Sequence, residues 1–593
     1  MARNEYYSWG DTMTKSDGLG VDISRRALLQ AATALAVVPV IGCKDSDGDR
    51  LDPRSGDGGT GTGTSCIETD STKDNESPTV NEPTTGRSSR KLFWTTEIAT
   101  GRVMGLANND IKQFKGIPYG ASTGGKNRYM PPQKPEAWRG VRECFNYGPI
   151  SPQLLSSLDS EYGRLINWDL HPGGMGEDCL SLNVWTSTLD RGAKKAVMVC
   201  FHGGGFASGS GNQLGFDGAK MAQTQDVVVV TVNHRLNVFG YLNLGDLDAP
   251  DELRYGGVVG IMDLAASLEW VKENIENFGG DRDRVMIFGQ SGGGAKTSVM
   301  LSNPAARGLF HRAGVQSGSQ LRLADNMRAG QYAELLLDEL GVKSSDMMAL
   351  QKKSWQEILE ASVSLTPPAG STAVSFSPVM DGDYLKHHPF DPTAPEESQD
   401  VPVIISSTLH DSALALTNFD LDDAGLRTAI AGRFGDDRAD AIIKAQKAAR
   451  PKDSNYLIQA SAFTDSSRGS ATYVQAERKA ALKKAPVYVY QWDWISNMAD
   501  AKFGAVHGID VSAAFNNARD TMLSTGAAAG KRIATKFSSA WAAFAKTGDP
   551  NNSEIPKWEP FDAEKRAIMI FDEDTRAEND YRGELIRQVA PKT

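Results

Sequence analysis

From about Lys91 onward, short runs that are apolar at nearly every position alternate with longer stretches of helical spacing. Residues 196–201, 227–232, 285–288, 313–316, 401–405 and 487–490 predict buried strands. Strands that are apolar on both faces belong in a parallel sheet covered on both sides. Between the second and third runs, Ile261, Leu264, Ala265, Leu268, Val271 and Ile275 recur on one helix face within residues 258–278. This alternation predicts an α/β fold, with a mostly parallel central sheet and helices on both faces. Residues 322–400 and 417–484 read as mostly helical and polar, and are expected to build cap segments over the sheet. No internal repeat interrupts the pattern.

Upstream the pattern changes twice. Arg25-Arg26 stands directly before a mostly apolar run over 27–41, too short to span a bilayer but suited to a signal-peptide core. The arginine pair resembles a Tat-type signal, and Val40-Ile41-Gly42-Cys43 resembles a bacterial lipobox, whose cysteine is acylated. Residues 1–43 are therefore expected to export the protein to the periplasm or cell surface. A lipidated Cys43 would anchor it there, since each buried methylene contributes about 0.8 kcal/mol. Residues 44–90 are rich in Asp, Gly, Ser, Thr and Pro and almost free of large apolar side chains, which predicts a flexible linker. Asp45, Asp47 and Asp49 have calcium-loop spacing, but Arg50 replaces the required glycine and no distal glutamate follows.

Composition narrows the function. Of 593 residues, 40% are hydrophobic and 23% charged, as in a soluble globular protein. A net charge of -11 repels polyanions, which disfavours nucleic acid as a partner. The five cysteines form neither a disulfide framework nor a zinc spacing.

Two glycine-rich turns follow predicted strands, and in an open α/β sheet function collects at the carboxyl ends of strands. Gly289-Gln290-Ser291-Gly292-Gly293 follows 285–288 and opens into a helix-forming stretch. That is the nucleophile-elbow pattern, in which serine occupies a strained strand-to-helix turn. His202-Gly203-Gly204-Gly205 follows 196–201 and supplies backbone N–H groups for an oxyanion hole. The same five-residue pattern occurs at Gly120-Ala121-Ser122-Thr123-Gly124, but Pro131 and Pro132 follow and no helix can begin there. Gly120 to Lys126 also approximates a P-loop, yet Asn127 stands where Ser or Thr must hold magnesium.

A nucleophilic serine needs an imidazole base, and the base needs a carboxylate to fix its tautomer. In this fold the order is serine, acid, histidine. His171, His202 and His234 precede Ser291, and His311 follows too closely. His387 and His388 sit in a polar, proline-flanked stretch, and His410 adjoins Asp411 directly. His507 remains, past the strand at 487–490, and Asp411 lies just beyond the strand at 401–405.

At these residues the chain resembles the type-B carboxylesterase family, which includes lipases and cholinesterases. The resemblance rests on Glu177-Asp178-Cys179-Leu180-Ser181-Leu182-Asn183-Val184-Trp185, on Phe278-Gly279-Gly280-Asp281, and on Phe288-Gly289-Gln290-Ser291. Phe114-Lys115-Gly116-Ile117-Pro118-Tyr119 and Thr547-Gly548-Asp549-Pro550-Asn551 extend it over roughly residues 91–575. It implies an α/β-hydrolase domain over 91–593. It also implies hydrolysis of small carboxylic esters by a Ser291, His507 and Asp411 triad through an acyl-enzyme. The N–H groups of Gly204, Gly205 and Gly292 would form the oxyanion hole, with no cofactor and no metal. Lipase, amidase or carbamate hydrolysis would use the same site, and a catalytically silent binding protein of this fold is the reading from another class.

Three departures from the family stand out. The acid is usually Glu, whereas His410-Asp411-Ser412 stands here, one methylene shorter. Ser151 replaces the cysteine that often pairs with the one in Glu-Asp-Cys, leaving Cys144 as a conceivable partner for Cys179. Gln290 replaces the Glu that precedes the nucleophile in cholinesterases, and Trp168 lies near where those enzymes keep a cation-binding ring.

Overall fold

The computed structural model describes residues 91–155, 160–166, 171–368, 371–517, 523 and 528–590. The export signal, Cys43, the linker and Trp168 lie outside the described residues.

The described residues carry one sheet of 13 strands. Four antiparallel strands lead in: β1 (Phe93–Ile98), β2 (Gly101–Asn108), β3 (Ile111–Pro118) and, after the short β4 (Val141–Glu143) alongside β2, β5 (Ser181–Thr186). The parallel centre comprises β6 (Lys195–Phe201), β7 (Val228–Val232), β8 (Gly280–Gln290), β9 (Arg312–Gln316), β10 (Val403–Thr408), β11 (Val487–Trp492) and β12 (Ala567–Phe571). An antiparallel β13 (Arg576–Asn579) closes the far edge. In space β7 lies between β5 and β6, and β6 pairs onward with β8. The chain therefore changes direction across the sheet at β6, the topological switch where α/β sheets place their sites.

Alternation along these strands sorts the core into two layers. Val197, Val199 and Phe201 of β6, with Val285 and Ile287 of β8, join the cluster that includes Leu264, Leu268 and Val271 of the helix Val259–Asn274. Met198, Cys200, Met286 and Phe288 point the other way, against Phe537, Trp541 and Phe544 of the helix Ala528–Thr547. Both faces are covered, which is why these strands read as unbroken apolar runs.

The stretch from 322 to 400 is helical only in its first half, at Asn326–Glu339 and Trp355–Ser364 with a 3₁₀ segment between them. Pro367, Pro368, Pro378, Pro389, Pro392 and Pro395 then remove backbone donors and break helix propagation. From 423 to 481 the chain is helical throughout most of its length, with a small core of its own around Leu426, Ile430, Ile442 and Ile458.

The second serine pattern has a structural role. Ser122 is exposed and only a 3₁₀ turn, Gly125–Asn127, follows it. Arg128 just beyond forms a two-pronged pair with Glu177, both contacts at 2.6 Å, and also donates to Leu350 O and Lys353 O. Glu177 of the family motif thus anchors this loop.

Candidate active site

β8 ends at Gln290 and the helix Gly292–Leu301 begins one residue later, so Ser291 occupies the turn alone. Its φ of 62° and ψ of -125° lie where a non-glycine residue costs on the order of 1–3 kcal/mol. The conformation is held from both sides. Ser291 N–H donates to Gln316 O at 2.7 Å, and its carbonyl accepts from Ala295 N at 3.0 Å. The neighbouring glycines are required by close approach: a Cβ on Gly293 would strike Phe201 O, and one on Gly292 would strike the backbone of Gly205.

Phe201 pairs with Gly289 across the sheet, so the glycine loop leaves β6 beside the elbow. Gly204 and Gly205 take φ of 80° and 62°, two successive left-handed residues that curl the loop over the serine. A Cβ built on Gly203 would stand 3.5 Å from the Ser291 Cβ. Gly292 opens the helix, where an N–H has no intrahelical acceptor. The three glycine N–H groups named from the sequence therefore belong to two segments in direct contact.

His507 is buried on the loop after β11. Its Nδ1 lies 2.6 Å from Asp411 Oδ1, and its Nε2 lies 3.1 Å from Gln290 Nε2, on the residue bonded to Ser291. With Nδ1 donating to the carboxylate, the Nε2 lone pair faces the elbow and accepts from the Gln290 amide. The structure thus gathers Ser291, His507 and Asp411 at the ends of β8, β11 and β10.

The shorter Asp411 reaches the imidazole because the two loops are stitched together. His410 N donates to Ala505 O, and Ala505 N donates to His410 Nδ1, both at 3.0 Å. Gly504 at φ 61° lies so close to the His410 ring that a Cβ there would overlap it. His410 Nε2 faces Asp453 at 3.1 Å. His410 is therefore a structural brace, a role that sequence position alone did not reveal.

Burial would raise the Asp411 pKa, but His507 and the guanidinium of Arg468 outweigh it and hold the carboxyl below its usual range. Burial lowers the His507 pKa, opposed by Asp411 and reinforced by Arg468, so the imidazole rests neutral. A second carboxylate lies near them. Asp510 Oδ2 accepts from Tyr490 Oη at 2.7 Å and from Gln316 Nε2 at 3.0 Å, and burial pushes its pKa up to about 6. No motif marked Asp510, because its partners sit on separate strands.

The other histidines serve elsewhere. His202 and His234 stack at 4.9 Å under the glycine loop, each with Nδ1 on a backbone carbonyl. His171 contacts Ser210, and His311 accepts from Val285 N. Cys144 and Cys179 are buried free thiols, so the conceivable pairing between them does not form; burial raises both to about 12. Among the described residues, no cluster of His, Cys, Asp and Glu has a metal-holding arrangement.

Comparison with known proteins gives a consistent result. The model of the carboxylesterase family matches residues 94–587. The chain is 30% identical over 504 residues to a para-nitrobenzyl esterase of Bacillus subtilis, covering 83% of this chain and 97% of that protein. It is 30% identical to a phenmedipham hydrolase of Pseudarthrobacter oxydans, over 79% of this chain and 93% of that one. A Geobacillus stearothermophilus carboxylesterase superposes with a TM-score of 0.71 at 33% identity, covering 83% of this chain and 99% of that chain. A Clostridium hathewayi esterase described as able to hydrolyse aliphatic aromatic polyesters superposes with a TM-score of 0.73 at 30% identity, over 84% and 97%.

Proposed function

The chain belongs to the carboxylesterase family and is a serine carboxylic ester hydrolase of the α/β-hydrolase fold, and from that premise we propose that Ser291, His507 and Asp411 carry the reaction through an acyl-enzyme. The observation that carries this reading is the placement of His507, with one ring nitrogen on Asp411 and the other facing the elbow.

His507 Nε2 removes the Ser291 hydroxyl proton as Oγ attacks the ester carbonyl. Negative charge develops on the carbonyl oxygen, and the N–H groups of Gly204, Gly205 and Gly292 receive it. The imidazolium is oriented by Asp411 and returns its proton to the leaving alcohol. Water then attacks the acyl-enzyme by the same route and releases the acid. Every proton is moved by His507, so the cycle uses no cofactor. The substrates are small-molecule esters.

The test is hydrolysis of p-nitrophenyl esters of increasing acyl length by the wild type and by Ser291→Ala. The variant should lose roughly 10⁴ to 10⁶ in kcat. Undiminished turnover in Ser291→Ala would sink the assignment.

A further inference from the structure

The last helical run of the second cap segment passes the end of β10 along one line. It consists of the helix Asn455–Thr464, a π turn Asp465–Gly469 and the helix Ser470–Ala481. Thr464, Arg468 and Thr472 stand at steps of four along it. All three meet the strand end that holds the acid. Thr464 Oγ1 accepts from Ser412 N at 2.9 Å, and Thr472 Oγ1 donates to Ser406 O at 3.0 Å. Between them, Arg468 Nε lies 3.0 Å from Asp411 Oδ1. At 3.6 residues per turn, a row of every fourth residue drifts around a helix; one wide turn offsets that drift and keeps the three in register. An adjoining face is fixed by Asp465, buried and paired with Arg582 through both carboxylate oxygens.

We propose that Arg468 is a positioning residue of the triad: its guanidinium shares Asp411 Oδ1 with His507 Nδ1 and locks the short carboxylate toward the imidazole. The remaining oxygen is held by Thr408, whose N–H and hydroxyl lie 3.3 and 3.1 Å from Oδ2. His507 and Thr408 thus hold the two oxygens by hydrogen bonds, and the Arg468 charge beside Oδ1 opposes rotation of the carboxylate away from His507. The charge acts as well, keeping Asp411 ionised and His507 neutral before substrate arrives.

The groups facing His507 from the packed elements are Asp411 at the end of β10, Arg468 on the π turn and Asp510 on its own loop. Tyr162 Oη adds a 2.5 Å bond to His507 O, and the exposed Glu161–Lys502 pair stands farther out. Of these, only Arg468 is cationic and in contact with the acid.

This inference rests on the proposed triad, and a double-mutant cycle on the full-length enzyme separates the two. The variants are Arg468→Gln, Arg468→Lys, Asp411→Asn and Asp411→Asn/Arg468→Gln, assayed with p-nitrophenyl acetate across pH. Arg468→Gln should lower kcat about tenfold with KM changed less than about threefold. It should also move the acid limb of kcat/KM to higher pH, since a cation near the imidazole has gone. Arg468→Lys should restore the limb and part of kcat. In the Asp411→Asn background the glutamine substitution should cost nothing further. A wild-type pH profile in Arg468→Gln overturns the proposal, as does an undiminished further loss in the double variant. That second comparison still decides if the single variant does not fold. If Asp411→Asn keeps full activity, the triad reading itself fails.

Discussion

Lys296 Nζ donates to the carbonyl of His202 at 3.0 Å, tying the helix that begins after Ser291 to the loop that begins the glycine run. Lys296 is buried, and burial pulls its pKa down to about 7 from an ordinary 10.5, with Cys200 opposing. The glycine loop is thus held by an amine that is expensive to charge.

Lys296→Met should separate stability from activity. The unfolded chain holds this proton up to pH 10.5 and the folded chain only to about 7, so the wild type gains stability as pH rises between them. Below pH 7 charging the buried amine costs at most about 5 kcal/mol. The methionine variant should therefore show a Tm advantage at pH 6 that shrinks by pH 9. Its kcat should fall about tenfold, because a shifted loop misplaces oxyanion donors. Parallel Tm curves for the two proteins would contradict this.

Asp510 works in the opposite sense. Its folded pKa of about 6 exceeds the ordinary 3.8, so the folded protein binds the extra proton and loses stability as pH rises from 3.8 to 6. The loss amounts to about 3 kcal/mol and persists at higher pH. Asp510→Asn keeps an acceptor for Tyr490 and Gln316 while removing the charge. Thermal melts should show the variant more stable than wild type at pH 8 and about equal near pH 4.

Gln290→Glu places a carboxylate beside the His507 imidazole. Gln290 is buried and its amide lies 3.1 Å from His507 Nε2, so a negative charge there favours the imidazolium. The acid limb of kcat/KM should move up by about one pH unit, with the plateau at high pH less affected. An unmoved limb would show that the Gln290 side chain does not face His507 in solution.

Much of this site was legible because its parts sit at ends of apolar strands. Ser291 follows the run over 285–288, Asp411 follows that over 401–405, and the order serine, acid, histidine pointed to His507, which the structure places against Asp411. What escaped had no local signature. Arg468 meets Asp411 from a distant helix, and the π turn that aims it has no sequence mark. Asp281, Arg282 and Asp283 concealed the first half of β8, since they are polar, partly exposed and fall in the irregularity between the Lys195–Gly280 and Val197–Val285 pairs. The antiparallel wing β1 to β3 was missed for a related reason, as its half-exposed strands mix Thr, Lys, Gln and Glu with apolar residues.

Residues 1–43 support a separate proposal, that the protein is exported and held on a membrane by acylated Cys43. Cell fractionation should find the wild type with membranes and Cys43→Ser in the soluble exported fraction. Wild-type protein recovered only as soluble material would contradict anchoring.

The central claim is that Ser291 is the nucleophile, and covalent labelling tests it most directly. After treatment with a fluorophosphonate, mass spectrometry of digested enzyme should find one adduct, on the peptide carrying Ser291, with activity lost in proportion. An adduct on the Ser122 peptide instead, or full activity in enzyme labelled at Ser291, would contradict the account.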